Sequence, residues 1–390
     1  MQNQIFKQKS DCCGCGACQA ICPKNAIDMV EDEYGYVYPK IDDTKCIKCG
    51  LCKKICSYKN PKMMEEDKKV YMSASKNENS LRKSASGGVF FELANAIILD
   101  GGIVYGCSME NENNQLYPKH IRVDKCEDLI KLQGSKYVQS ECGNIYRQVK
   151  SDLLDNKIVL FSGTPCQVEG LKAFLQYKEY DKLVLIDIIC HGVPSRKMFQ
   201  DYISDFERKN NCEVIEYYFR DKKYGCGYNN KIIYKKDGKV DTIVKKAYES
   251  SYCQLFLDSV ICRKNCYECP YACEKRNSDI TIGDYWGAME EHPECRLSVN
   301  AGISCIIANT KKGNSTVQKY GNQLETIDSE FSKVSKRNHQ LNRPSNHSKE
   351  CEKIINIYKE YGYKKVDQYY KKTRFIKNSI KRIRDLVIKK

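Results

Sequence analysis

Two cysteine rows with one internal spacing occupy residues 12–56 and constrain this chain more than any other feature. Cys12, Cys15, Cys18 and Cys22 follow C-x2-C-x2-C-x3-C with Pro23 behind the last, and Cys46, Cys49, Cys52 and Cys56 repeat the spacing. Three thiols two residues apart wrap one corner of a cuboidal 4Fe-4S cluster, and Gly14, Gly16 and Gly50 supply the turns that so tight a loop requires. In two-cluster ferredoxins the fourth cysteine of each row crosses to the other cluster. The spacing therefore predicts one 4Fe-4S cluster on Cys12, Cys15, Cys18 and Cys56, and a second on Cys46, Cys49, Cys52 and Cys22. Cys13 stands outside the pattern. Ser57 replaces the proline expected after the last cysteine, which alters the turn and leaves the ligand count unchanged. Zinc fits poorly, because it takes four tetrahedral ligands, usually as two separated pairs.

The chain holds 24 cysteines in 390 residues. In a short secreted protein they would suggest a disulfide scaffold, but in a long chain with a polar, unexported-looking start at residues 1–10 they read as metal ligands. A cytoplasmic location and an anaerobic cell are expected, since oxygen attacks such thiolates and their iron. No apolar run approaches the roughly 18 residues of a membrane span; even 183–190 is broken by Asp187. The 65 Lys and Arg against 50 Asp and Glu give +15, which suits an acidic partner, a membrane surface or nucleic acid, and follows equally from an AT-rich genome.

A second set of cysteines is scattered through the remainder. Residues 157–161 read as a buried strand that runs through Ser162-Gly163-Thr164-Pro165-Cys166 into a helical pattern. Residues 183–189 read as another strand ending at Cys190-His191-Gly192-Val193-Pro194, with Ser195 capping a helix that contains Met198, Phe199 and Tyr202. This is a βαβ unit, whose parallel strands bring Cys166 and Cys190 to the carboxyl edge of the sheet, where α/β proteins place ligands. A helix faced by Tyr248, Tyr252, Leu255, Phe256 and Val260 then delivers Cys262, Cys266, Cys269 and Cys273. These four could bind a cluster alone, or two of them could join Cys166 and Cys190; zinc remains an alternative for this set.

Elsewhere, 61–69 is a charged linker and a folded region opens at Val70. Ser84-Ala85-Ser86-Gly87-Gly88 precedes an apolar-periodic helix closed by Gly101-Gly102, a pattern that suits a diphosphate cradle and equally a serine-capped core helix with a glycine-permitted contact. Gly134-Ser135-Lys136-Tyr137-Val138-Gln139-Ser140 is a polar loop with one cation and one aromatic ring. Residues 231–246 form a β-hairpin turning at Asp237-Gly238, and Ile280-Thr281-Ile282 a short strand before Gly283-Asp284-Tyr285-Trp286-Gly287, whose tryptophan is expected to anchor packing. From Asn338 onward the chain is basic. Ile376, Ile380, Ile383 and Val387 line one side of a last helix, which offers a peripheral membrane contact, a docking face, or a solvated face against the protein's own core.

Taken in order, the ferredoxin module, Ser86-Gly87-Gly88, residues 161–167, residues 187–194 and residues 279–287 resemble the beta subunit family of coenzyme F-420 hydrogenases and dehydrogenases. The resemblance covers nearly everything up to about Asn309. It implies an FAD-binding body with a third 4Fe-4S cluster, ligated by Cys166, Cys190, Cys266 and Cys269, with Cys262 and Cys273 as extra thiols nearby. It also implies flavin contacts at Ser86, Gly87, Gly88, Ser135, Lys136, Tyr137, Gln139, Ser140, Gly163 and Thr164. The expected architecture is α+β and α/β, a bacterial-type two-cluster ferredoxin module at 1–60 followed by a mixed α/β flavin body at 61–150 and 151–330, then a basic helical tail at 331–390.

Clusters pass single electrons and most organic reductions need two, so a cluster chain ends well at a flavin. The expected activity is an iron-sulfur flavoprotein oxidoreductase that passes electrons between 4Fe-4S clusters and FAD to reduce or oxidise a small-molecule substrate, with a redox partner protein or small-molecule electron donor at the other end and either direction of flow allowed. The family's members use the deazaflavin, reduce chlorophyll derivatives, or accompany surface-polysaccharide genes, and this sequence does not choose among them. His191, beside Cys190, is the expected acid-base residue, with a loop-holding role as its alternative. The rival readings are a non-catalytic electron-transfer subunit and a cluster-based sensor that binds nucleic acid; no nucleic-acid motif accompanies the charge, so no such partner is expected.

Overall fold

The structure is a computed structural model that describes residues 5–58, 61–63 and 67–387, and of the side chains beyond Phe375 only that of Ser379. The expected apolar face of the last helix, Ile376 to Val387, lies outside the described side chains, as does part of the 61–69 linker.

The ferredoxin module is small. A two-stranded antiparallel ribbon, β1 (Ile27–Glu31) and β2 (Val37–Ile41), separates two short helices, Ala17–Ile21 and Leu51–Lys54. Each helix begins at a glycine in the left-handed region, Gly16 at φ +80° and Gly50 at φ +77°, a conformation that costs other residues about 1–2 kcal/mol.

The body is built on one eight-stranded sheet. Its strands are β3 (Lys69–Ser75), β4 (Ile103–Glu112), β5 (Gln115–Val123), β6 (Val159–Gly163), β7 (Leu183–Ile188), β11 (Ile280–Asp284), β12 (Ser304–Ala308) and β13 (Leu324–Ser329). The order is β13-β3-β12-β11-β7-β6-β4-β5. The centre is parallel, with β4 beside β6, β6 beside β7 and β7 beside β11, and the flanks are antiparallel. Alternate residues of the central strands feed opposite cores, as the twofold period of a strand requires. Val159, Phe161, Leu183 and Leu185 pack against helices Ile145–Leu154 and Pro165–Phe174, whereas Leu160, Val184 and Ile186 pack against helices Val89–Leu99 and Lys311–Tyr320. The expected βαβ unit is β6, the helix Pro165–Phe174 and β7, with Ser162 opposite Ile186.

A second sheet of β8 (Glu213–Tyr218), β9 (Asn230–Lys236) and β10 (Lys239–Lys245) packs on helices Arg196–Asn210, Ser251–Leu257 and Cys351–Val387. The hairpin turn is Asp237-Gly238, both residues at positive φ, as a two-residue turn between twisted strands demands. Ser195 Oγ accepts from Met198 N at 3.1 Å, which makes it the expected cap. Two expectations need correction. The helix drawn through Val260 stops at Leu257 because Ser259 adopts φ +57°, and Tyr248 lies in a separate short turn. The helix Val89–Leu99 starts at Gly88, at φ +84°, with no serine cap. The long C-terminal helix, broken at Gly362, buries Ile354, Tyr358, Tyr363, Val366 and Tyr370 against the body, so its first half belongs to the core. Among the described residues no helix is long and apolar enough to cross a membrane.

Candidate functional site

The first cysteine row is pressed onto the body. Cys12, Cys15, Cys18 and Cys56, the set expected from crossed ligation, line one cavity whose far wall carries Cys13, Cys166 and Tyr271. Burial pushes Cys12 up to about 11, and burial together with Cys15, Cys12 and Cys56 holds Cys18 well above the ordinary thiol range. In the second row, Cys52 is raised by burial with Cys22 and Cys46 beside it, and Cys49 is exposed. Crowded thiols of this kind keep their protons until a cation draws them off, which is the chemistry of a metal-cluster donor set. Backbone amides already point at two sulfurs, Gly14 N donating to Cys12 Sγ at 3.4 Å and Ala26 N to Cys22 Sγ at 3.3 Å. Among the described residues no three Cys, His, Asp or Glu side chains converge as they would on a single ion.

The four body cysteines of the expected third set are also neighbours. Cys166 opens the helix after β6 and Cys190 follows β7, so the parallel pair brings both to its carboxyl edge. Burial, then Cys166, pushes Cys190 up to about 12; burial, then Cys166 and Cys190, does the same to Cys269. Cys266 is held well above its usual range by burial and by Cys262, Cys190 and Cys269. The extra thiol Cys262 is buried behind Gly192, where a Cβ would come within 2.8 Å of its sulfur. Cys273 hydrogen-bonds the carbonyls of Pro270 and Lys275 at 3.4 and 3.1 Å.

Between the two thiol groups lies Cys13, the residue outside the spacing pattern. It packs with Cys15, Cys166 and Cys269. Its thiol hydrogen-bonds the sulfurs of both Cys15 and Cys166, which raises Cys13, lowers Cys15 and brings Cys166 down to about 7. Arg263 stands beside it, fully buried, and is the largest such side chain in the molecule among the described residues. Its Nε donates to Cys12 O at 3.1 Å, its Nη1 to Gln139 Oε1 at 3.2 Å, and the guanidinium lies 4.0 Å from the centre of the Tyr38 ring. Nη2 has no hydrogen-bond partner among the described residues. Further bonds close the seam: Tyr36 and Tyr58 donate to the carbonyls of Ile261 and Asn265, and Arg147 to those of Ala20 and Cys22.

The sheet's carboxyl edge opens into a cavity of about 340 Å³, a size typical of ligand pockets. Ser86, Gly88, Ser135, Lys136, Tyr137, Gln139, Ser140, Gly163 and Thr164 line it, together with Cys13, Cys166, Cys190 and His191. Gly87 does not. It is turned into the body, where its amide donates to Ser304 Oγ at 2.8 Å and a Cβ would come within 2.5 Å of Ser73 O, so here the glycine serves close packing. Ser86 Oγ donates to Ile303 O, which fixes the same loop. The uncapped start of the helix Val89–Leu99 and the half-buried Lys136 give the cavity a positive end. Lys136 Nζ donates to the carbonyls of Lys131 and Gln133, and burial lowers it to about 8. The opposite wall is aromatic: Tyr137 lies 4.8 Å from Phe256, and Tyr228 5.9 Å from Trp286. Trp286, expected only to anchor packing, thus also lines the cavity.

His191 is held at both ring nitrogens. Nε2 meets Phe256 O at 3.2 Å and Ser259 Oγ at 3.0 Å, and Nδ1 meets Gln340 Nε2 at 3.3 Å, so the ring fastens loops together. Spacing gave no sign of two further wall residues, His120 and Arg220. His120, lowered to about 4 by burial, bonds Ser162 O and Ser140 Oγ. Arg220 clasps Asp284 through two bonds of 2.9 and 3.0 Å and lies over Tyr228. Asp284 alone carried a signal, its place in the 283–287 block.

Residues 156–330 match the family model for the C terminus of the coenzyme F-420 hydrogenase/dehydrogenase beta subunit, and residues 11–60 match the 4Fe-4S dicluster domain. No curated protein matches the chain. Among solved structures, a chain in the xenon-derivatised F-420-reducing NiFe hydrogenase complex from Methanosarcina barkeri aligns over 80% of this chain and 94% of its own, at 18% identity and a TM-score of 0.43. The chain therefore joins a 4Fe-4S dicluster domain, the mark of an iron-sulfur electron-transfer protein, to a region at 156–330 that is similar to the C terminus of the coenzyme F-420 hydrogenase/dehydrogenase beta subunit.

Proposed function

We propose that the protein is a ferredoxin-linked, FAD-dependent oxidoreductase with three 4Fe-4S clusters. The observation that carries this reading is that nine of the ten residues expected to touch flavin, drawn from three separate segments, wall one cavity together with Cys166 and Cys190. When bound, the clusters relay single electrons and the flavin pairs them for a two-electron substrate. Cys12, Cys15, Cys18 and Cys56 would hold the inner cluster, Cys46, Cys49, Cys52 and Cys22 the outer one, and Cys166, Cys190, Cys266 and Cys269 the third.

Each remaining residue has a part to play around those groups. Lys136 and the amides ahead of Phe91 neutralise an anionic cofactor, since both lie at the positive end of the cavity. Tyr137, Phe256 and Trp286 offer flat apolar walls to a ring system and exclude water from it. Arg220, kept in place by Asp284, presents a fixed cation to whatever negative charge develops on the ring or substrate. His120 stays neutral at pH 7 and orients Ser140, which is a positioning role. His191 presents the 190–194 turn, because both of its nitrogens are engaged by the protein.

Anaerobic reconstitution with iron, sulfide and FAD tests the reading. About twelve irons per chain and a bound-flavin spectrum are expected for three clusters. Eight irons with no flavin would leave only an electron carrier.

A further inference from the structure

The two cysteine rows are sequence repeats placed in opposite surroundings. In the inner row four of the positions between ligands carry small residues on which the body packs: Cys13, Gly14, Ala17 and Ala20 meet Cys166, Gln139 and the helix Pro165–Phe174. The same positions in the outer row are Ile47, Lys48, Leu51 and Lys54. All four are exposed, Ile47 by 57% and Leu51 by 37%, around the exposed ligand candidate Cys49. A Cβ on Gly50 would meet nothing within 4 Å.

Resting on the electron-transfer reading above, we propose that the outer face formed by Ile47, Lys48, Leu51, Lys53 and Lys54 is the docking surface for an acidic electron-carrier protein. The face repeats the geometry of an interface already made on the other half of the module. It substitutes apolar and cationic side chains for small ones, as a surface met transiently by a separate, negatively charged protein requires. Two exposed apolar residues rimmed by lysines match the small, steered interfaces of redox encounters, which bury less than about 1,200 Å². Lys45 is partly committed to Asp42 at 3.1 Å, and Asp43 lies on the same edge, so attraction comes from Lys48, Lys53 and Lys54 backed by the chain's +15. The face also exposes Cys49, which shortens the path from a bound carrier to the outer thiol set.

The test uses the full-length reconstituted chain and an acidic plant-type 2Fe-2S ferredoxin as the probe, with binding read by calorimetry. Affinity is expected to fall at least tenfold for the triple variant Lys48→Glu, Lys53→Glu, Lys54→Glu whose iron content is unchanged. Leu51→Asp is expected to weaken binding without altering its salt dependence. In the unmodified chain, binding should weaken steeply between about 50 and 200 mM salt, which checks the charge argument without any substitution. A tail variant, Lys371→Glu with Lys372→Glu, should bind as before. The proposal is overturned by absence of binding, by equal affinity of the triple variant, or by loss of binding in the tail variant alone. Loss of the function reading itself would appear differently, as missing flavin or iron in the unmodified chain.

Discussion

Gly16 and Gly50 begin equivalent helices with nearly equal torsions, φ 80° and ψ 0° against φ 77° and ψ −3°, yet one is packed and the other open. A Cβ on Gly16 would come within 2.8 Å of Gly143 Cα, whereas the same atom on Gly50 would face empty space. Local backbone demand is therefore the same in both halves of the ferredoxin module, and tertiary demand exists in only one. The repeat thus encodes two cluster loops, while the residues between the cysteines decide which loop joins the body and which meets solvent.

The largest expected effect comes from the inner seam. Arg263→Met removes a buried cation whose bonds hold Cys12 O and Gln139, and it should cost roughly 3 kcal/mol in thermal unfolding of the anaerobic protein. Losing the cation also makes the addition of an electron nearby harder, so the midpoint potential of the inner cluster should move negative in an EPR-monitored titration. An unchanged potential would show that Arg263 serves packing alone.

A paired substitution isolates the contact itself. Gly50→Ala should cost about 1–2 kcal/mol for its left-handed torsion alone. Gly16→Ala bears that cost and the clash with Gly143, and should be about 2 kcal/mol worse in the same unfolding measurement. Equal costs would dissolve the distinction between the two halves.

Beyond the seam, Lys136 links the cavity to pH. Because burial lowers it to about 8, it is charged below that pH and neutral above. A charged ligand of opposite sign raises the lysine's affinity for its proton, so flavin binding should be constant below pH about 8 and fall by up to tenfold per unit above it. Lys136→Met should bind flavin weakly with no such dependence. The smallest effect belongs to the outer half, where Leu51→Ala should change stability by no more than about 0.5 kcal/mol, a value that calorimetry of unfolding checks.

The cysteine rows, the βαβ unit and the Asp237-Gly238 hairpin were legible because each is set by neighbours in sequence: ligand spacing, an apolar run of strand length, a turn that needs positive φ. The chain's end-to-end approaches were not. Arg263 carries no local signal that it will lie 251 residues away from its carbonyl partner at Cys12, and Cys13 looks idle until Cys166 is brought beside it. Gly87 carries both readings in sequence, because close packing and phosphate binding ask the same of a glycine, and the packing role shows only once Ser73 and Ser304 are beside it. His191 drew attention through its neighbour Cys190, whereas its ring is spent on Phe256, Ser259 and Gln340, partners drawn from distant loops.

In the function proposed above, electrons pass in series from the ferredoxin module, across the Cys13 and Cys166 seam, to a flavin in the body. Stopped-flow mixing of the reconstituted protein with dithionite, followed at cluster and flavin wavelengths, tests it most directly through Cys166→Ser. The N-terminal clusters of this variant should still bleach while flavin reduction slows by orders of magnitude relative to the unmodified chain. Flavin reduction at an unchanged rate in the variant would contradict it.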